Sequence, residues 1–154
     1  MYETPEVEPV EMEQFMRHFL SLVEKDFSGK GITVNSKMAR HDIAALIDQR
    51  VFHQVMLNLL TNAADALENE DQPRIDIAVD SLQGCVQVRV ADNGCGISES
   101  EQRNLFRPFF TSKPHGTGLG LVIVKKMISK MDGTVRIDAK PGEGTTVIMT
   151  FPEG

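Results

Sequence analysis

Residues 51–67 have the sequence VFHQVMLNLLTNAADAL, and the spacing of the apolar residues predicts one helix that packs into the core. At 100° per residue, Asn58, Asn62 and Asp65 fall within roughly 60° of one another, at the rim of the apolar face. Amide and carboxylate groups at the edge of a core are costly unless something binds them. These three residues are therefore candidate ligand-binding residues. The apolar residues beside them are Val51, Val55, Leu59, Ala63, Ala66 and Leu67.

Composition is typical of a globular protein with one domain. The 154 residues are enough to bury a core, and contents of 41% hydrophobic and 25% charged residues argue against disorder and against a membrane protein. No apolar run approaches the ~18 residues of a membrane span, and no charged-then-apolar leader begins the chain. The net charge of −6 disfavours nucleic acid as the main partner. Two cysteines without metal-type spacing favour a reduced, cytoplasmic protein.

The N-terminal part of the chain predicts a tail, a helix and a short strand. Residues 1–9 are acidic, contain two prolines and are expected to form a tail or linker, with a single domain over residues 10–154. Apolar residues recur at helical spacing over residues 10–27, and residues 32–38 alternate weakly, as in a short strand. Asp48 is a suitable N-cap for the central helix.

The C-terminal part predicts a sheet with two further helices. The predicted elements are adjacent antiparallel strands over residues 74–79 and 85–91, a short helix capped by Ser98 with Glu101, an apolar helix over residues 119–131, and a hairpin of residues 134–139 and 145–151. The predicted fold class is an α+β two-layer sandwich, with a mixed, mostly antiparallel sheet and helices on one face.

Asp92 stands where a predicted strand ends, with Gly94 and Gly96 just after it. Glycine lets the backbone adopt φ > 0 or approach a flat ligand closely. A carboxylate in such a place would accept a hydrogen bond from an exocyclic amine, and Ile97 would wall the ring. Asp-Asn-Gly is also a common turn sequence, so an ordinary turn remains the alternative interpretation.

The sequence GTGLGL at residues 116–121 precedes a predicted helix, so its backbone N–H groups and the helix dipole would cradle phosphates. The motif follows a long loop rather than a strand, which distinguishes it from the dinucleotide-binding fingerprint. It also lacks the Gly-Lys-Ser/Thr ending of the P-loop. Lys113, in the same loop, would either meet a phosphate or remain a solvated loop lysine.

Residues 105–121 show no regular pattern before the helix. Three phenylalanines within five residues, the last of them Phe110, flank Pro108. They are either core anchors or part of a lid, and a long irregular loop favours the lid. Thr145 opens the last predicted strand, either as an ordinary strand residue or as a partner in the hydrogen-bond network of Asp92.

Together these motifs form a constellation of five parts in a fixed order. The parts are two asparagines four residues apart on a helix, DNGCG after a strand, a Phe-rich loop, GTGLGL opening a helix, and GEGTT before the last strand. The constellation resembles the ATP-binding catalytic domain of sensor histidine kinases, within the GHKL superfamily shared with gyrase, a heat-shock chaperone and mismatch-repair ATPases. The resemblance covers about residues 10–152 and implies a Bergerat-type ATP-binding fold. The sequence LFRPFFTSKPHGTGLGL is especially similar to kinases of the nitrogen-regulation type.

The resemblance implies roles for individual residues, with ATP and Mg²⁺ as the cofactors. Asn62 matches the Mg²⁺ ligand of the family, and Asn58 matches the asparagine beside the phosphates and metal. Asp92 matches the aspartate that recognises the adenine amino group. Asp65 stands where other members carry a phosphate-binding lysine, but an acidic residue is known in the nitrogen-regulation branch, so it is kept as a candidate. The other residues at matching nucleotide-binding positions are Gly94, Gly96, Ile97, Phe110, Thr111, Lys113, Gly116, Thr117, Gly118, Leu119, Gly120, Leu121 and Thr145.

Position 58 also distinguishes two chemistries within the superfamily. The hydrolases resemble one another in carrying a glutamate there as general base on water, whereas the amide of Asn58 cannot take a proton at neutral pH. The resemblance therefore implies a protein-histidine kinase domain, whose nucleophile is a histidine imidazole on a separate dimeric helical hairpin. His41-Asp42 superficially resembles the acceptor motif but lacks the proline that follows, so the acceptor is expected outside this chain.

The same resemblance implies partners, a location and two alternatives. The expected partners are the kinase's own dimerisation and phosphoacceptor helices and a response regulator downstream, with no nucleic acid and no membrane contact by this domain. The expected location is the cytoplasm, including the cytoplasmic part of a membrane-anchored sensor. One alternative is a serine kinase of the anti-sigma type, against which FRPFFTSKPHGTGLGL argues. The other is a non-catalytic interaction module that has lost nucleotide binding, against which the intact Asn62 and Asp92 argue.

Overall fold

Strands and helices alternate irregularly along the chain in the computed structural model, which describes residues 4–104 and 120–154. The strands of these two ranges are β1 (Glu8–Glu11), β2 (Thr33–Met38), β3 (Ala44–Ile47), β4 (Arg74–Leu82), β5 (Cys85–Asp92), β6 (Thr134–Lys140) and β7 (Gly144–Pro152). The helices of the same ranges are α1 (Met12–Gly29), α2 (Gln49–Ala66), α3 (Glu99–Gln102) and α4 (Gly120–Lys130). None of these helices is long and apolar enough to cross a membrane.

Five of the strands form one mixed sheet in the order β2-β4-β5-β7-β6. Strand β2 pairs with β4 in parallel, and the other three pairings are antiparallel. The remaining strands, β1 and β3, form a separate antiparallel pair. The prediction of a mixed, mostly antiparallel sheet is therefore confirmed.

One face of the sheet carries the core. Side chains alternate between faces along a strand, and the buried residues of β4 and β5 alternate along each strand and are all apolar. Helices α1, α2 and α4 contribute their apolar stripes to the same cluster. The predicted α+β two-layer arrangement, with helices on one face, is confirmed. The largest fully buried side chains of the cluster are Phe19, Phe52, Phe151, Met12, Met16, Ile43, Ile47, Met56, Leu60, Ile75, Ile77 and Met127.

The hairpin of β4 and β5 is longer than its alternation predicts. Leu82 pairs with Cys85, so only Gln83 and Gly84 form the turn. Both have positive φ, 55° and 78°, as a two-residue type I′ turn requires. Because this turn matches the twist of the strands, pairing continues past residue 79, where the apolar alternation ends.

The start of α2 and the end of α4 lie close to their predicted positions. Asp48 is the N-cap of α2 and accepts hydrogen bonds from the backbone N–H groups of Arg50 (3.0 Å) and Val51 (3.3 Å). At the end of α4, Asp132 has a φ of 59°, and the N–H of Gly133 donates to the carbonyl of Ile128 over 2.9 Å. Both predicted boundaries are confirmed.

The N-terminal segment departs from its prediction. Val10 is 7% exposed and lies in β1, paired with Ala45, so α1 begins at Met12 rather than at residue 10. Strand pairing also reaches Glu8, within the segment predicted to be a tail or linker. The sequence pattern predicts no strand for Ala44–Ile47, the partner of β1. The alternation of β1 and of β3 is too weak to predict either strand from its own residues. The pairing between them identifies both.

Candidate functional site

The polar edge of α2 lies where its spacing predicts. Asn58 and Asn62 are half-buried and Asp65 is exposed, while the apolar residues that alternate with them enter the core. The side-chain carbonyl of Asn58 accepts a hydrogen bond from Gln54 Nε2, one helical turn earlier, over 2.9 Å. The helix therefore presents two amide side chains at the border between core and solvent.

Asp92 ends β5 between two neighbouring strands. Its register partners are Ile75 on β4 and Thr145 on β7, and its Oδ1 accepts a hydrogen bond from the N–H of Gly94 over 2.9 Å. Burial raises the pKa of the carboxyl above its ordinary value. Hydrogen bonds from the backbone N–H groups of Gly94 and Thr145 lower that pKa, and the charge of Glu70 raises it. A partly buried carboxylate at a strand end has little contact with water, so it is well suited to accept a further hydrogen bond from a ligand.

Glycine is required in this region by contacts within the chain. A Cβ at Gly94 would lie 2.6 Å from the carbonyl oxygen of Ala66, at the end of α2. Gly96 has a φ of 74°, and a Cβ there would overlap the carbonyl oxygen of Lys140. The sequence predicts that these glycines allow either a positive φ or a close approach to a flat ligand. In the structure the close approach that excludes a side chain is to the chain's own backbone.

Those backbone contacts bring the predicted site residues together. The contact of Gly94 with the end of α2 sets the segment after β5 against the helix that carries Asn62. Thr145 lies opposite Asp92 in the neighbouring strand. Ile97 is half-buried beyond the same segment. The end of β5, the start of β7 and the end of α2 therefore meet in one region.

The other predicted residues are in the first turn of α4 or precede that helix in the sequence. Gly120 is the first residue of that helix and Leu121 follows it, half-buried. Helix α4 packs against α2. Seven predicted site residues lie outside the described ranges: Phe110, Thr111, Lys113, Gly116, Thr117, Gly118 and Leu119.

Two residues that support the site are missed by sequence reasoning. Gln102 Nε2 donates to the carbonyl oxygens of Ile97 (3.1 Å) and Ala139 (2.7 Å), which ties α3 to the segment before it and to β6. The side chain of Asn93 accepts from the N–H of Arg74 (2.7 Å) and donates to a carbonyl in the turn before β4. Ser98, whose predicted cap on α3 is confirmed, is the sequence signal nearest to Gln102, and Asn93 lies in the DNGCG motif without a predicted role of its own. Hydrogen bonds from a side chain to backbone groups that are distant in the sequence produce no periodic pattern, so the sequence alone does not predict them.

Comparison with family models finds one match over most of the chain. The model described as histidine kinase-, DNA gyrase B-, and HSP90-like ATPase matches residues 47–154. This range contains the central helix, the DNGCG segment and the GEGTT segment.

Two curated relatives are longer proteins with similar sequences. The C4-dicarboxylate transport sensor protein DctB of Rhizobium meliloti (strain 1021) is 33% identical over 138 residues, which are 90% of this chain and 22% of that protein. The signal transduction histidine-protein kinase AtoS of Escherichia coli (strain K12) is 39% identical over 107 residues, 68% of this chain and 17% of that protein. The chain therefore spans about a fifth of the length of these relatives.

A solved structure has the same fold over almost the whole chain. The catalytic domain of the histidine kinase ThkA, in a nucleotide-free form, aligns with a TM-score of 0.83 and 27% identity, covering 96% of each chain. The expectation of a Bergerat-type fold, as in histidine kinase catalytic domains, is confirmed.

Proposed function

This chain belongs to the family of histidine kinase-, DNA gyrase B- and HSP90-like ATPases, and on that premise we propose that it binds Mg-ATP and donates the γ-phosphate to a histidine on a separate domain. The observation that carries the proposal is Asp92, a half-buried carboxylate at the end of a strand, with Gly94 beside its Oδ1 and Gly144 against its backbone carbonyl. Such a carboxylate would accept a hydrogen bond from an exocyclic amine, such as that of adenine.

Asp92 would orient the base. Its Oδ1 is already hydrogen-bonded to Gly94, so the carboxylate is held in place before any ligand arrives. A fixed acceptor loses little conformational entropy on binding. Thr145, its register partner, supports the same carboxylate through its backbone N–H.

Asn62 would hold Mg²⁺, with Asn58 beside the phosphates. The donor set fits a hard cation, which binds amide oxygens, water and phosphate oxygens. A metal held there would neutralise part of the phosphate charge during transfer. The chain would hold Asn62 on helix α2, at the border of the core, where its side chain is half-buried.

Asn58 would keep the bound nucleotide from being hydrolysed. Its carbonyl accepts from Gln54, and a neutral amide does not accept a proton from water. Without a general base at this position, the nucleophile has to come from elsewhere. A histidine imidazole, nucleophilic in its neutral form, meets that need.

The full protein would be a two-component sensor kinase of which this chain is the catalytic part. Its proposed partners are its own phosphoacceptor helices and a downstream response regulator, and its proposed location is the cytoplasm. DctB is named a sensor protein and AtoS a signal transduction histidine-protein kinase. The chain spans a small part of each, which agrees with an acceptor histidine carried elsewhere.

The test uses this chain, Mg²⁺-ATP and a separately prepared dimeric acceptor hairpin from a histidine kinase of the same branch. We expect phosphate on the hairpin that is labile to acid and stable to base, as phosphohistidine is. Acid-stable phosphoserine on an added substrate would instead favour the anti-sigma type of kinase. If no nucleotide bound, the chain would be a non-catalytic interaction module.

A further inference from the structure

Three cationic residues lie in one lateral row across the sheet. Lys37 on β2 pairs with Ala78 on β4, which pairs with Arg89 on β5. Arg89 pairs with Ile148 on β7, and Ile148 pairs with Arg136 on β6. We call Lys37, Arg89 and Arg136 the cationic row. It crosses all five strands of the sheet.

The cationic row is on the face of the sheet that lies opposite the core. Arg89 stands between Val88 and Val90, which both enter the core, so alternation directs Arg89 to the other face. Ile148 precedes the core residue Met149 and lies outside the core cluster, yet it is only 5% exposed. Its register partners on the two neighbouring strands are Arg89 and Arg136, whose long aliphatic stems are of a kind that covers apolar surface. The guanidinium groups then extend into solvent around an apolar centre.

The three cations are exposed and available for a partner. Within residues 4–104 and 120–154, none of the three side chains makes an ion pair or hydrogen bond. In the adjacent row that contains Asp76, the carboxylate of Asp76 already forms an ion pair with Arg74 over 2.8 Å. Asp138 lies two residues from Arg136 in that same adjacent row, and no carboxylate lies in the cationic row itself.

The spacing of the cations indicates what fits them. Neighbouring strands are about 4.8 Å apart, so Lys37 to Arg89 and Arg89 to Arg136 are each about 10 Å. Seven residues of an α-helix rise about 10.5 Å and return to the same face. We propose that the cationic row docks an acidic α-helix of a partner protein, with carboxylates at positions i, i+7 and i+14, laid across the strands.

Charge favours a helix over a broad polyanion. A helix about 10 Å wide would be centred on the cationic row. A membrane surface or duplex DNA would also face the carboxylates of Asp76, Asp80 and Asp138, each two residues along a strand from the row. The chain as a whole has a net charge of −6 and repels an extended anionic surface. The row is a local cationic strip on an acidic protein.

The test measures binding of this chain to two synthetic helical peptides of identical composition by fluorescence anisotropy. In one peptide the glutamates are at i, i+7 and i+14, and in the other they are distributed around the helix. We expect the first peptide to bind about tenfold more tightly, and to weaken as salt is raised. Arg89→Glu should weaken that binding about tenfold, while Arg50→Glu, the same charge change in the first turn of α2, should change it less than about twofold.

Several results would overturn the proposal. One is equal affinity for the two peptides, or none at about 1 mM peptide. Another is an equal effect of the two substitutions. Binding to phosphatidylserine vesicles or to duplex DNA that depends on Arg89 would assign the row to a different occupant, and Arg89-dependent self-association in light scattering would assign it to a second copy of the chain. Nucleotide affinity, measured in parallel, should be the same in both variants.

Discussion

A Cβ atom at Gly144 would overlap the carbonyl oxygen of Asp92, so the first residue of β7 packs directly against the residue that ends β5. The φ of Gly144 is 93°, a conformation that other residues rarely adopt. The lack of a side chain at Gly144 therefore lets β7 approach the backbone of Asp92, the candidate adenine-binding residue.

Gly144→Ala should destabilise the chain and weaken ATP binding together. The substitution should lower the free energy of unfolding by about 3 kcal/mol or more, because the strain of a positive φ and the overlap with Asp92 add at one residue. Urea denaturation measures the stability, and calorimetric titration with ATP measures the affinity.

Gly142→Ala is the matched control for this substitution. Gly142 also has positive φ, 79°, but a Cβ there would meet nothing within 4 Å. Strain alone should cost about 1 kcal/mol and leave ATP affinity nearly unchanged. Equal losses for the two variants would show that packing against Asp92 is unimportant.

Asn62→Ala should abolish the gain in ATP affinity that Mg²⁺ provides. Loss of a metal ligand should weaken binding in Mg²⁺ by about tenfold or more, while affinity in EDTA stays the same. Thr61→Ala, an exposed neighbour on the same helix, is the control. An undiminished effect of Mg²⁺ on the Asn62 variant would exclude Asn62 as the ligand.

Asp92→Asn should reduce the preference for adenine over guanine nucleotides by about tenfold, because an amide offers a donor where the base also donates. The Oδ1 that accepts from Gly94 is retained, so the fold should persist. Competition between ATP and GTP for the site measures the preference. An unaltered preference would contradict the proposed contact.

The pH dependence of ATP binding should report the same carboxyl. Its pKa is raised by burial, so Asp92 protonates at a higher pH than an ordinary aspartate as pH falls. ATP affinity should therefore fall as pH is lowered through the raised pKa, and this limb should be missing in Asp92→Asn. The linkage to folding has the opposite sign. The pKa of Asp92 is higher in the folded chain than in the unfolded chain, so the free energy of unfolding falls as pH rises between these two values. Asp92→Asn should therefore be no less stable than the unsubstituted chain at neutral pH.

Asp48→Ala should lower the unfolding free energy by about 2 kcal/mol. Asp48 is 4% exposed, caps α2 through Arg50 and Val51, and accepts from the N–H of Glu6 over 2.8 Å. Asp48→Asn keeps an oxygen for the cap and loses the one for Glu6, so its loss should be about half as large. Guanidinium denaturation of the three proteins distinguishes the two contributions, and equal losses would show that the cap contributes little.

The long elements follow from local pattern because a helix or strand is specified by residues near one another in sequence. The 3.6-residue period of α2, the alternation of β4 and β5, and the Asp48 cap each lie within a few residues. The polar edge of α2 also follows from angular spacing alone. These features predict the sheet, the layer arrangement and the position of the candidate metal ligand.

Other features depend on contacts between residues that are far apart in the chain. Strand β1 is identified by its pairing with β3, and the packing of Gly144 against Asp92 adds to the positive φ that also favours glycine there. Gln102 supports the site through Ala139, far along the sequence. The cationic row joins residues from three strands whose common position depends on register. Residue types and spacings determine which elements form, whereas the packing of those elements decides which backbone atoms and charges meet.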